Sequence, residues 1–257
     1  SKNFKKRYNL LLEYAEGGSL SDRLRKSGGK MVEREVRNYA RQVLKGLAHV
    51  HESGFAHLDI KPSNLLLTDS GIVKIADFGL AERPSGDERR EDMVGTPMFM
   101  APESVNGGQY GPPCDVWAVG CSVSELATGR PPWTLRHGDT NTASVLFRIG
   151  FGDEIPAIPD ELSEEGKDFL RECFVKDPRK RWTADMLLNH PFVSNKGEES
   201  ESFATVSVSP RCVFEFPGEE WSSGSLVFPD VPGGVSRNVS ERVRELSGSC
   251  EDERVDD

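Results

Sequence analysis

The 257-residue chain contains no apolar run approaching the roughly 20 residues that a membrane-crossing helix needs, so it offers no candidate span. Residues Ser1 to Gly18 set basic side chains ahead of Leu10-Leu11-Leu12, but Glu13 and Glu16 interrupt that stretch too early for a secretion signal. Cysteine is scarce. There are five, Cys114, Cys121, Cys173, Cys212 and Cys250, an odd number at wide spacing with no C-x-x-C. That excludes a disulfide framework and a cysteine zinc site, and it implies free thiols in a reducing compartment: the cytoplasm, with the nucleus as a second location. In that setting the sequon Asn238-Val239-Ser240 carries no meaning. No basic stripe stands out, so a nucleic-acid partner is not expected. The chain opens on serine rather than methionine, which implies processing or a lost start.

The net charge of −10 is unevenly placed. Residues 194–257 hold 14 acidic and 6 basic side chains and are rich in Ser, Glu, Gly, Pro and Val. This composition predicts an acidic, disordered tail following a folded unit over residues 1–193. Two aromatic islands lie in the tail, Val213-Phe214-Glu215-Phe216 with Trp221 and Leu226-Val227-Phe228-Pro229. They read either as residual stickiness or as a docking motif for a regulator.

Within the folded unit, Tyr8 to Tyr14 is apolar enough for a buried strand. Ser19 and Asp22 form the S-x-x-D pattern of a capping box at the start of a short helix. From Glu33 to Glu52, Val36, Tyr39, Ala40, Val43, Leu47 and Val50 recur at helical spacing, and Gly54 closes that helix. Leu65-Leu66-Leu67 and Ile72-Val73-Lys74-Ile75 flank Thr68-Asp69-Ser70-Gly71, a strand pair around a tight turn. Periodicity is lost from Ala81 to Pro113, which predicts a long functional loop inside the domain. Helical pattern returns at Asp115 to Thr128, near Thr142 to Ile149, at Ser163 to Phe174 and at Thr183 to Asn189.

The chemistry concentrates in His57-Leu58-Asp59-Ile60-Lys61-Pro62-Ser63-Asn64 and in Asp77-Phe78-Gly79, 13 residues past Asn64. Asp59 supplies a base for a hydroxyl proton, Lys61 a cation to meet a moving phosphate, and Asn64 and Asp77 hard oxygen ligands for Mg²⁺. Taken singly, Asp59, Asn64 or Asp77 would read as a turn cap. Their spacing resembles the eukaryotic protein kinases, and the resemblance runs in the family's order from residue 8 to residue 193. It implies an α+β, protein-kinase-like fold, mainly the helical C-terminal lobe with a hinge strand and small β-hairpins around the active site. It also implies ATP and Mg²⁺ as cofactors and a protein substrate.

Residue by residue, the resemblance implies that Glu13-Tyr14-Ala15 is the hinge, where backbone groups of Glu13 and Ala15 meet adenine. Leu12 is then the gatekeeper, and Leu20 with Leu66 sandwiches the purine. Asp59 orients the substrate hydroxyl, and Lys61 marks the Ser/Thr class. His57 is implied to be a packing residue beside Phe78 and not a base. Gly95-Thr96-Pro97-Met98-Phe99-Met100-Ala101-Pro102-Glu103 resembles the substrate-docking segment, with Thr96 bridging Asp59 and Lys61. Glu103 is implied to pair with Arg181, and Asp115 to hold the catalytic loop by its amides. Glu13 to Asp22, Ala56 to Lys61 and Gly95 to Met100 look most like plant MAP kinase kinase kinases, which implies a MAP kinase kinase as substrate.

Two features depart from the family. Leu58 stands where an arginine usually precedes the catalytic aspartate and clamps a loop phosphate, so activation independent of loop phosphorylation is expected. Between Asp77 and Gly95 the one hydroxyl is that of Ser85. No G-x-G-x-x-G occurs, and Lys74 lies too close to Asp77 to be the nucleotide lysine. The expectation is therefore an N-terminally truncated kinase that transfers no phosphate alone. The alternative is a kinase-derived scaffold that binds partners without catalysis.

Overall fold

The computed structural model describes residues 12–84, 90, 92–134 and 142–194. Its organising element is α2 (Glu33–Glu52), whose ends agree with the sequence pattern. Val36, Tyr39, Ala40, Val43, Leu44 and Leu47 are buried along one face, whereas Val50 is only half-buried. Gly54 ends the helix at φ 80°. Its amide bonds the His51 carbonyl and the next amide bonds that of Val50, so the last carbonyls are satisfied as the chain turns away. Ahead of it, α1 (Leu20–Lys26) carries the expected capping box: Ser19 Oγ accepts from the Asp22 amide at 3.1 Å, and Asp22 accepts from the Ser19 amide at 3.0 Å. The Ser19 hydroxyl, which donates to Asp22 Oδ2 at 2.7 Å, and the Ser19 amide together hold the Asp22 carboxyl below the usual carboxylate range.

The hairpin pairs β1 (Leu65–Leu67) with β2 (Val73–Ile75), antiparallel, with Leu65 opposite Ile75 and Leu67 opposite Val73. Ile72 falls outside the strand and is exposed. This is the only sheet among the described residues. The expected hinge strand is not one of its members. Residues 12–14 have no strand geometry, and Leu12 and Tyr14 are 77% and 78% exposed. An apolar run becomes a strand only when a neighbour takes its amides and carbonyls, and among the described residues none does. Residues 8–11 lie outside the described part, as do 195–257 with both aromatic islands.

The long segment read as loop is also partly helical. Pro102–Gly107 forms α3, and α4 begins at Pro112 and runs to Thr128. Both start with proline in the first turn, where the missing N–H costs nothing. Their first turns therefore lacked the apolar period that marks a helix. The remaining helices are α5 (Thr142–Phe151), α6 (Glu164–Cys173), α7 (Ala184–Leu188) and α8 (Pro191–Ser194). Ser163 and Thr183 cap α6 and α7 through their hydroxyls.

Helix α4 is the hub, packed against α2 and α6. Apolar residues line it on nearly every side, with Val116, Trp117, Val119 and Cys121 all at 1% exposure or less, as befits a helix surrounded by protein. Burial pushes the Cys121 and Cys173 thiols well above their ordinary values, so they act as small core hydrophobes.

Glu125 on the same helix is half-buried, and that burial pushes its carboxyl up. A carboxyl whose folded pKa lies above its unfolded value favours the folded state at acid pH and costs stability as pH rises through the folded pKa. Glu125→Gln is therefore expected to raise the denaturant midpoint at pH 7 and to leave it nearly unchanged below the ordinary glutamate range. A lower midpoint at pH 7 would contradict the assignment.

Candidate active site

The site is built on the connection from α2 to β1. Asp115, at 0% exposure in the first turn of α4, accepts from the amides of His57 at 2.8 Å and Leu58 at 2.7 Å. His51 Nε2 meets the same carboxylate at 2.9 Å. One buried anion thus fixes the backbone immediately before Asp59. Leu58 is held there at φ 67°, a left-handed conformation that a branched side chain reaches only under restraint.

His57 is fully buried with both ring nitrogens engaged. Nδ1 accepts from the Asp59 amide at 3.3 Å, and Nε2 meets the Ala76 carbonyl at 3.1 Å, where only a donor fits. Its ring stands edge-on to Phe78, centroids 4.8 Å apart. With no free lone pair, it has no part as a base. It ties the Asp59 backbone to the segment leading into Asp77.

Asp59 is buried, and three donors meet its carboxylate. Thr96 Oγ1 donates to Oδ1 at 2.7 Å, while Lys61 Nζ and Asn64 Nδ2 approach Oδ2 at 2.8 and 2.9 Å. Lys61 also donates to Thr96 Oγ1 at 2.8 Å. The hydroxyl of Thr96 therefore bridges the anion and the cation, the arrangement that the resemblance implied. Gly95 permits it: at φ 105° a Cβ there would come within 2.9 Å of the Leu58 carbonyl oxygen.

Asn64 gives both Nδ2 bonds to Asp59, one to the carboxylate and one to the backbone carbonyl, and no donor among the described residues takes its Oδ1. Asp77 is exposed, at φ 64°, and takes one weak bond of 3.3 Å from the Gly79 amide. Two neutral or anionic oxygens with spare lone pairs fit Mg²⁺, which keeps its waters and shares phosphate oxygens instead of asking for an all-protein cage.

The nucleotide side is less uniform. Among the described residues nothing takes the Glu13 carbonyl or the Ala15 amide, so both remain for the edge of an adenine; the Ala15 carbonyl accepts from Gly18. The Glu13 side chain pairs with Lys74 across 2.5 Å. Leu66 is half-buried in β1, bridged to Ser19, and retains surface for a ring. Leu20 does not. It is 0% exposed, packed with Val43, Leu65 and Val119 in the core beneath the hairpin, because the capping box turns the first residue of α1 inward. Leu12 is exposed and closes no pocket among the described residues.

Below the catalytic loop, Arg181 forms a bidentate pair with Glu103, at 2.6 and 3.0 Å, with both side chains almost wholly buried. Sequence reasoning anticipated this pair. It missed the Ala76 carbonyl that fixes His57, the His51 contact to Asp115, and Tyr110, whose hydroxyl accepts from the Val94 amide at 3.0 Å. None of these has a spacing signal, since each depends on where a loop returns in space.

A buried, hydrogen-bonded aspartate beside a lysine, with two side-chain oxygens on the same loop pair that could hold a metal ion, is the set a phosphoryl-transfer site on a helical lobe needs. The family model for the protein kinase domain matches residues 2–193, and the chain belongs to that family, whose members use ATP with Mg²⁺. Among its relatives is mitogen-activated protein kinase kinase kinase 20 of Arabidopsis thaliana, 50% identical over 239 residues, covering 88% of this chain and 69% of the relative. Mitogen-activated protein kinase kinase kinases 17 and 18 of the same plant are 46% and 48% identical over 74% and 75% of this chain. The chain spans only 50% and 56% of those two relatives.

Proposed function

We propose that the protein is a serine/threonine kinase of a MAP kinase cascade, passing the γ-phosphate of ATP to a Ser or Thr of a MAP kinase kinase. The observation that carries this reading is the Asp59–Thr96–Lys61 triangle, closed by Asn64. In it, Asp59 Oδ1 has a lone pair left to orient the substrate hydroxyl and receive its proton. Lys61 holds a positive charge beside the same atoms, where it offsets negative charge developing on the transferred group. Asn64 and Asp77 would hold Mg²⁺. ATP bound with that ion supplies the phosphoryl group. Glu13 and Ala15 would meet adenine through backbone atoms, with Leu66 against the ring. The relatives' names, kinases of a kinase kinase, support the choice of substrate.

Leu58 bears on regulation. Its side chain is apolar and buried at 8% exposure, so position 58 offers no cation to a phosphorylated loop, and activity is expected without one. Ser85 lies outside the described residues. The test is phosphate transfer from ATP to a purified MAP kinase kinase by the full-length protein and its Ser85→Ala variant. Rates within about twofold are expected, since Leu58 offers no charge to answer a phosphate on Ser85. Loss of transfer in Ser85→Ala would contradict phosphate-independent activation, and transfer to tyrosine would contradict the serine/threonine assignment.

A further inference from the structure

We propose that Tyr110 is a positioning residue that latches the substrate-docking segment through an uncharged hydrogen bond, with Arg90 seating it. This deepens the reading above and rests on it for the segment's role. Tyr110 lies in the turn between α3 and α4. Its hydroxyl accepts from the Val94 amide at 3.0 Å and points to the Asp92 carbonyl at 3.5 Å. Val94 stands two residues before Thr96, whose own hydroxyl donates to Asp59. Between them, Gly95 lies so close to the Leu58 carbonyl that no side chain fits at its φ of 105°. The segment is thus pinned from one side by Tyr110 and from the other by Asp59, with no slack at the residue joining the two pins.

The outer side of Tyr110 is fixed as well. The Arg90 amide bonds the Gly108 carbonyl at 2.9 Å, and its guanidinium lies 6.0 Å over the Tyr110 ring. The same guanidinium pairs with Glu82 across 2.5 Å. Glu82 in turn exchanges two backbone hydrogen bonds with Ala56, the residue before His57. A continuous set of contacts therefore runs from the catalytic loop through Glu82, Arg90, Tyr110 and Val94 back to Thr96 and Asp59. Leu58 lines the same cleft as Val94 and Tyr110. Where an arginine at position 58 would answer a phosphate, this protein has an apolar side chain and a tyrosine hydroxyl, and the register of the docking segment is set without added charge.

The test is amide hydrogen exchange, read residue by residue by NMR on the chain without nucleotide or substrate. Tyr110→Phe is expected to speed exchange at Val94 about tenfold, the effect of one lost hydrogen bond. The His57 and Leu58 amides, held by Asp115, should be unchanged. Arg90→Ala, at an exposed side chain, should speed Val94 by roughly two- to fivefold, the effect of one cation–π contact, and it decides the matter if Tyr110→Phe does not fold. In the full-length protein, Tyr110→Phe should raise KM for the protein substrate and leave KM for ATP in place. Unchanged Val94 exchange, or equal acceleration at His57 and Leu58, would overturn the latch. Because exchange is read without catalysis, this result is independent of whether phosphate transfer is observed.

Discussion

Replacing Arg181 by alanine should cost the folded protein roughly 3–5 kcal/mol, the range for removing one partner of a buried ion pair. The guanidinium is completely enclosed, and Glu103 is 7% exposed. Besides the two bonds to Glu103, Arg181 donates to the Val175 and Pro113 carbonyls at 2.8 and 2.7 Å and stacks 5.1 Å from the centre of the Trp117 ring. Alanine leaves the carboxylate without its cation, with only the weak Cys114 thiol contact at 3.5 Å, and both carbonyls without this donor. For a domain of this size each kcal/mol moves the melting temperature by about 2–4 °C, so a fall of roughly 6–20 °C is expected. Thermal or denaturant unfolding measures it. Arg181→Lys should recover part of the loss, since it restores the charge without the planar fork. A change under about 1 kcal/mol, the worth of an exposed pair, would show that the buried pair does not brace the base of the docking segment.

The second large effect is catalytic. Asp59→Asn should lower kcat by about 10²–10⁴, the usual contribution of a positioned acid–base group. Asparagine fits the cavity: its amide nitrogen can face Thr96 Oγ1, and its carbonyl oxygen can keep the bonds from Lys61 and Asn64. The fold should therefore survive while the oriented proton acceptor is lost. KM for ATP should change little, because Asn64, Asp77, Glu13 and Ala15 are untouched. Unfolding at an unchanged midpoint, measured beside the kinetics, separates this outcome from damage to the fold.

Local signals in the chain were reliable where one element explains itself. The Ser19–Asp22 capping box, both ends of α2, and the Leu65–Ile75 hairpin depend on neighbours within a few residues, and each forms as its pattern implies. The lower half of the site was legible for another reason. Asp59, Asn64 and Asp77 lie on two short loops joined by a hairpin, so their spacing in sequence constrains their spacing in space. Failures came where tertiary placement decides. Leu12 and Leu20 have the same chemistry, yet one is exposed and the other is at the centre of the core. Helix α3 has six residues and a proline start, too short to show a period. Tyr110 and Val94 are 16 residues apart across a turn, and no pattern announces their contact. The left-handed backbone of Leu58 was equally hidden, since it is imposed by Asp115 more than 50 residues away.

Asp59 and the residues bonded to it are proposed to form a working phosphoryl-transfer site. Its most direct test is incorporation of labelled phosphate from ATP into a MAP kinase kinase by the full-length protein, wild type beside Asp59→Asn. Label on serine or threonine is expected with the wild type, and a fall of about 100-fold or more with the variant. Equal incorporation by the two proteins would contradict it, as would binding of the MAP kinase kinase with no incorporation by either.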